Sequence, residues 1–253
     1  MKRKLIVGQG IDAGPCSWFV EQIVALAEQR RSAFVCLANV HMTIEAWRHQ
    51  DFAEVLRGAD LVAPDGMPLV HALKWLYGIE QERVAGVDLL DALLRAAEEK
   101  GLVVFVYGES QPVLTRLEER IKGDFPRLRF AGAISPPYRA LSAEEELQDV
   151  AAINAAGADL VLVALGCPRQ ENWMARQKGQ VQGVMLGIGA ALAVYAGVRK
   201  RAPVWMQRNS LEWFYRLLQE PRRLGRRYLV TNCLFLLLLG RDILVHNFRR
   251  LAP

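Results

Sequence analysis

Ala59-Asp60-Leu61-Val62-Ala63-Pro64-Asp65-Gly66 is the stretch whose reading decides the fold. The apolar run Leu61–Ala63 breaks at once into Pro-Asp-Gly, in which Pro64 fixes φ and Gly66 permits a positive φ. A short buried strand ending in a turn that carries a carboxylate suits an open α/β sheet, where ligands bind at the carboxyl ends of the strands. Alone, Asp65 serves equally well as a turn residue or as the cap of the next helix. The rest of the chain weighs the ligand role more heavily.

Working outward, short β-rich runs alternate with helical patterns through residue 189. The strand candidates are Leu5–Val7, Phe34–Leu37, Leu61–Ala63, Val103–Tyr107, Leu160–Leu165 and Val184–Gly187, with Arg129–Ala133 as a seventh. Between them, helical periodicity covers Cys16–Gln29, Thr43–Arg57, Leu89–Lys100, Pro112–Lys122, Ala143–Ala156 and Glu171–Gln177. Alternation of this kind predicts a Rossmann-like α/β fold, a mostly parallel sheet flanked by helices on both faces.

In such a sheet the strand exits share one edge, so Asn39, Asp65, Gly108, Gln170 and Gly189 are expected to converge. The glycine turns at Gly108, Gly166 and Gly187–Gly189 precede helices, where backbone N–H groups and the helix dipole favour an anion. Neither a G-x-G-x-x-G nor a Walker lysine marks these turns, which argues against NAD and ATP. In Gly166-Cys167-Pro168-Arg169-Gln170-Glu171, Arg169 and Gln170 supply donors for a diphosphate or a sugar, while Cys167 has no histidine near it in sequence. His71 reads as a packing histidine or as a second acid–base group. Arg83 lies in a loop that can return to the Asp65 edge, and Asp88 reads as the N-cap of the helix after it.

The 253 residues are 52% hydrophobic and suit one large α/β domain with an appendage. Net charge is +5, unevenly placed: 12 Lys or Arg against 3 Asp or Glu from Arg199 onward, and 20 against 24 before it. That asymmetry divides a core, 1–198, from a basic appendage, 199–253, suited to phosphates or anionic lipid. Four scattered cysteines and four histidines form no metal-ligand spacing and fit a reducing compartment. No Asp-x-Asp is present, so the usual signature of a metal-held diphosphate is missing. The basic, then apolar, start is broken too early for a signal peptide and reads as a first strand.

In the appendage, Leu211, Phe214, Tyr215 and Leu218 fall on one helical face, with Arg208, Glu212, Arg216 and Gln219 opposite. Arg222, Arg223, Arg226 and Arg227 then crowd before Tyr228-Leu229-Val230 and the run Leu234–Leu239, which ends at Gly240-Arg241-Asp242. That run is shorter than the ~18–20 apolar residues of a membrane span, so the segment reads as interfacial. A solvated arginine face over core leucines is the alternative; nucleic acid suits the leucine-rich surface badly.

Six ordered motifs resemble one family, the WecG/TagA/CpsF glycosyltransferases (glycosyltransferase family 26). They are Asn39, Ala59–Gly66, Arg83–Leu89, Ala164–Glu171, Gly187–Gly189, and Arg201–Gln207 continuing through Leu211–Leu224. The resemblance implies transfer of an N-acetylmannosamine-type sugar from a UDP-sugar to a polyprenyl-diphosphate-linked sugar for a cell-surface polymer. It implies Asp65 as base and Asn39, Arg83 and Gln170 as substrate ligands. It departs from the family at Leu37, where a threonine is usual, and at Gly108-Glu109-Ser110, where paired glycines are usual.

Residues and resemblance together lead us to expect an inverting glycosyltransferase that needs neither metal nor cofactor. Asp65 takes the acceptor proton, and Gly108, Gly166, Arg169, Gln170, Gly187 and Gly189 hold the donor beside Asn39 and Arg83. Arg216, Arg222, Arg223, Arg226 and Arg227 meet phosphate or lipid at the cytoplasmic face of the plasma membrane, and self-association is left open. A nicotinamide-dependent oxidoreductase and a non-catalytic nucleotide-sugar-binding membrane module are the alternatives.

Overall fold

The computed structural model describes residues 3–208 and 210–251, and only the backbone of Arg208, Arg223, Asn247, Arg249, Arg250 and Leu251. The chain opens with β1 (Lys4–Ile6) and β2 (Gln9–Ile11), an antiparallel pair joined through Val7 and Gly8, both at positive φ. Two successive positive φ values make the tight hairpin turn whose twist matches that of its strands. The expected first strand is therefore half of a separate hairpin and adds nothing to the main sheet. Asp12 ties the hairpin down, accepting from Val62 N at 2.8 Å and pairing with Arg3 at 2.9 Å.

After α1 (Cys16–Glu28) come β3 (Ala33–Ala38), α2 (Val40–Arg48), α3 (Gln50–Arg57), β4 (Leu61–Pro64), α4 (Met67–Tyr77) and α5 (Gly86–Lys100). The second half runs β5 (Val103–Gly108), α6 (Gln111–Asp124), β6 (Arg129–Ile134), α7 (Ala143–Ala155), β7 (Leu160–Ala164), α8 (Arg169–Gln177), β8 (Val184–Gly187) and α9 (Ala191–Tyr195). Six strands form one parallel sheet in the order β4-β3-β8-β7-β5-β6, as the alternation predicted.

Period-two alternation sorts each central strand between two cores. Val35 and Leu37 of β3 pack with α1, α5, α6 and α9 on one face of the sheet. Phe34 and Cys36 pack with α2, α3, α4, α7 and α8 on the other. Two local expectations fail. The helix expected over Thr43–Arg57 breaks at His49, whose extended backbone (φ −124°) separates α2 from α3. Asp88 does not cap α5: the helix starts at Gly86, and Asp88 pairs with Arg201 at 2.7 Å instead.

The basic appendage forms α10 (Val204–Arg208), α11 (Glu212–Gln219) and α12 (Pro221–Leu251). The helix does not stop where the apolar run ends at Gly240; it continues through Arg241 and Asp242. The stretch Leu224–His246 is long and apolar enough, by length and composition, to cross a membrane. Here it lies along the core, next to α2 and α4. Thr231, Phe235, Leu238 and Leu239 are buried, and Asp242 accepts from Val7 N at 3.0 Å. Its outer stripe, Leu229, Leu236, Leu237, Leu244 and Phe248, is exposed.

Candidate active site

A cavity of about 470 Å³ opens at the carboxyl ends of four adjacent strands, β4, β3, β8 and β7. The chain winds outward from β3 to β4 and fills the sheet's centre last with β7 and β8, so the crevice lies where strand order reverses, a usual ligand position. Asn39, Asp65, Gly166, Gln170, Gly187 and Gly189 line the floor. The roof comes from the appendage, through Glu212, Tyr215, Arg216, Arg227 and Tyr228.

Asp65 sits between a turn and a helix end. Its backbone N–H donates to Ala38 O at 2.9 Å, continuing the β3–β4 ladder into the Pro-Asp-Gly turn. Its Oδ1 accepts from Gly86 N at 3.2 Å, which puts the carboxylate at the N-terminus of α5. Burial pushes the Asp65 carboxyl above its ordinary pKa, and nearby Glu212 adds to that. Arg216, Arg83 and the Gly86 N–H pull the other way without cancelling it. A carboxylate with raised proton affinity in a cleft is suited to general-base work.

Above it, Glu212 bridges two arginines. Arg83 Nη1 lies 2.8 Å from one carboxylate oxygen, and Arg216 Nη2 donates to the other at 3.2 Å. Further along the wall, Arg199 pairs with Glu220 at 3.3 Å. Arg83, Arg199, Lys200, Arg201, Arg216 and Arg227 give this lining six cationic side chains against Asp65, Glu212 and Glu220. Such an excess suits a ligand bearing several negative charges. Among the described residues, no three His, Cys, Asp or Glu side chains gather as a metal site.

The glycine turns meet at Gln170, which is 5% exposed. Gln170 Oε1 accepts from Gly166 N at 3.2 Å, and Gly166 takes a positive φ of 80°. On Gly187 a Cβ would stand 2.8 Å from Met174 Cε and 3.0 Å from Gln170 Nε2, so a larger residue there would push these two side-chain ends aside. Asn39 caps α2, its Oδ1 accepting from Met42 N at 3.1 Å, and so faces the cavity from a fixed position. Leu37 lines the same floor.

Several expected site residues lie elsewhere. Gly108 ends β5, which is separated from β3 by both β8 and β7, and is not in the lining. Its glycine is required by packing: a Cβ there would come 2.5 Å from Ala164 O. Arg169 points outward, its guanidinium 5.3 Å from the Tyr138 ring centroid. Arg222 and Arg226 are exposed on α12, outside the cavity, because a helix that turns Arg227 inward turns them away. The Arg223 side chain lies outside the described residues. Burial pushes the Cys167 thiol up and away from nucleophile behaviour. His71 does line the cavity, stacked 5.5 Å from Trp75. Sequence reading missed Glu212, Lys200, Arg201 and His41 as lining residues; the i, i+4 pairing of Glu212 with Arg216 was the available signal.

The sequence model of the glycosyl transferase WecG/TagA/CpsF family matches residues 5–249. The chain belongs to this family. A relative from Bacillus spizizenii is 38% identical over 200 residues, 79% of this chain and 76% of its own length. A Bacillus subtilis relative is 32% identical over 203 residues, with 79% and 76% covered. One from Staphylococcus aureus is 29% identical over 200 residues, with 79% and 77% covered. All three are named N-acetylglucosaminyldiphosphoundecaprenol N-acetyl-beta-D-mannosaminyltransferase. As a WecG/TagA/CpsF protein the chain is a glycosyltransferase, which replaces the nicotinamide-dependent alternative.

Proposed function

We propose that the chain moves an N-acetylmannosamine-type sugar from a UDP-sugar to a polyprenyl-diphosphate-linked sugar, with inversion and without a metal, at the cytoplasmic face of a membrane. The observation that carries this is a single cavity holding both Asp65, at a helix N-terminus, and six cationic side chains. The relatives' names, which specify a diphosphoundecaprenol-linked acceptor and a mannosaminyl group, support the substrate classes.

In this reading the acceptor hydroxyl attacks the anomeric carbon as Asp65 takes its proton. The bond from that carbon to the diphosphate oxygen breaks, its electron pair stays on the leaving UDP, and one displacement inverts the centre. Arg83 and Arg216 face the charge that develops on the leaving group, where preorganised donors act most strongly. The appendage completes the site, because Glu212, Arg216 and Arg227 belong to it. The exposed leucine stripe of α12, with Phe214 and Leu218 of α11 also exposed, rests on the membrane. Arg222 and Arg226 meet its anionic headgroups.

The deciding experiment measures UDP release from UDP-N-acetylmannosamine with and without a lipid-diphosphate-linked N-acetylglucosamine analogue. Acceptor-dependent release with formation of a disaccharide product supports the transfer. Nucleotide binding without turnover would favour the non-catalytic membrane module.

A further inference from the structure

Glu171 follows Gln170 at the start of α8 and has 0% of its surface exposed. A buried carboxyl is costly unless its hydrogen bonds are made. Its Oε1 accepts from Gln170 Nε2 at 2.7 Å, and the Cys167 thiol also donates to the group. Its Oε2 is buried without a partner. An amide has two unlike ends, and this contact decides which way Gln170 faces. With Nε2 committed to Glu171, Oε1 is left for Gly166 N, and the Gly189 turn packs against the same oxygen, where a Cβ would stand 3.3 Å from it.

We propose that Glu171 is a positioning residue for the donor half of the cavity: its carboxyl fixes the Gln170 amide and, through it, holds the Gly166 turn against the Gly187–Gly189 turn. This rests on reading Gln170 and these turns as the donor cradle. Burial also pushes the Glu171 carboxyl up to about 7. Below that pH the group is neutral, its proton accommodated on the unpartnered Oε2. Above it the ionised group is the stronger acceptor for Gln170. The titratable groups facing it are the Cys167 thiol of its own turn and the Cys36 thiol of β3, with Glu45 of α2 acting on Cys167. Burial pushes both thiols up, so they stay protonated near pH 7. No described cationic side chain pairs with Glu171. Donor binding therefore tightens as pH rises through neutrality.

The test is titration of the full-length protein with UDP by calorimetry at pH 6 and pH 8, on wild type, Q170A, E171A and E171Q. We expect E171A to weaken UDP by about tenfold at pH 8, the worth of one hydrogen bond to a charged group. E171Q, which keeps an acceptor toward Gln170 and a donor in place of the proton, restores the wild-type affinity of pH 6. It loses the extra tightening at pH 8, and the comparison cancels the ionisation of UDP itself. Wild-type affinity in Q170A would overturn the donor-cradle reading. Weak binding in Q170A with a wild-type pH profile in E171Q would overturn the Glu171 proposal alone. Should E171A fail to fold, the E171Q profile still decides.

Discussion

Arg83, in the loop before α5, and Glu212, at the start of α11, lie 2.8 Å apart, each 16% exposed. This ion pair joins the α/β core to the appendage directly above Asp65. Removing one partner of a largely buried pair leaves the other uncompensated, a loss of about 3–5 kcal/mol where burial is complete and less here.

Glu212→Gln is expected to shift the pH profile as well as the rate. Glu212 raises the Asp65 carboxyl, whereas Arg83 and Arg216 lower it. Without the glutamate charge the Asp65 pKa falls, and the base is ionised at lower pH. The acid limb of kcat/KM should therefore move to lower pH, with a smaller plateau. An unmoved limb would separate Glu212 from Asp65 electrostatically.

Asp65→Asn keeps the turn and the chain's course but cannot take a proton. Turnover should fall by ~10²–10⁴-fold, the usual worth of a general base. UDP affinity, measured by calorimetry, should stay near wild type. Rates within a few-fold of wild type would leave Asp65 as a turn residue only.

EDTA should leave transfer unaffected, since six cationic side chains line the cavity and no three metal-ligating side chains gather among the described residues. Activity lost to the chelator and restored by Mg²⁺ or Mn²⁺ would overturn the metal-free mechanism.

The appendage arginines should separate into two groups. Arg222 and Arg226 are exposed outside the cavity, and replacing both with Glu should weaken binding to anionic vesicles by about 1 kcal/mol per residue, or more. Transfer to a water-soluble acceptor analogue should survive that change. Arg216→Ala should instead lose transfer to the soluble analogue, since Arg216 faces Asp65 inside the cavity. Equal effects of the two changes on both assays would dissolve the distinction.

Removing residues 204–253 should abolish transfer even to the soluble analogue, because Glu212, Arg216 and Arg227 leave together. It should also lower solubility, since Phe235, Leu238 and Leu239 cover part of the core. A soluble, fully active truncation would make the appendage an anchor only.

Sequence by itself determined the sheet, because strands buried on both faces are apolar runs and their exits are marked by Pro and Gly, signals confined to a few neighbouring residues. Asp65, Gln170 and the Gly187–Gly189 turn were legible for that reason: each stands at a strand exit, and parallel strands share one edge. Strand order is not local, and only the tertiary structure set Gly108 apart from the cavity by two intervening strands. The direction in which a helical side chain points is likewise fixed by what the helix packs against. In α11 Phe214 and Leu218 are exposed while Glu212, Tyr215 and Arg216 line the cavity, which splits the apolar face that periodicity alone marks. Glu212 became a site residue only when folding brought a distant arginine within 2.8 Å of it. Glu171 opens a helical stretch in sequence; only the tertiary structure buries it beneath the Gln170 amide.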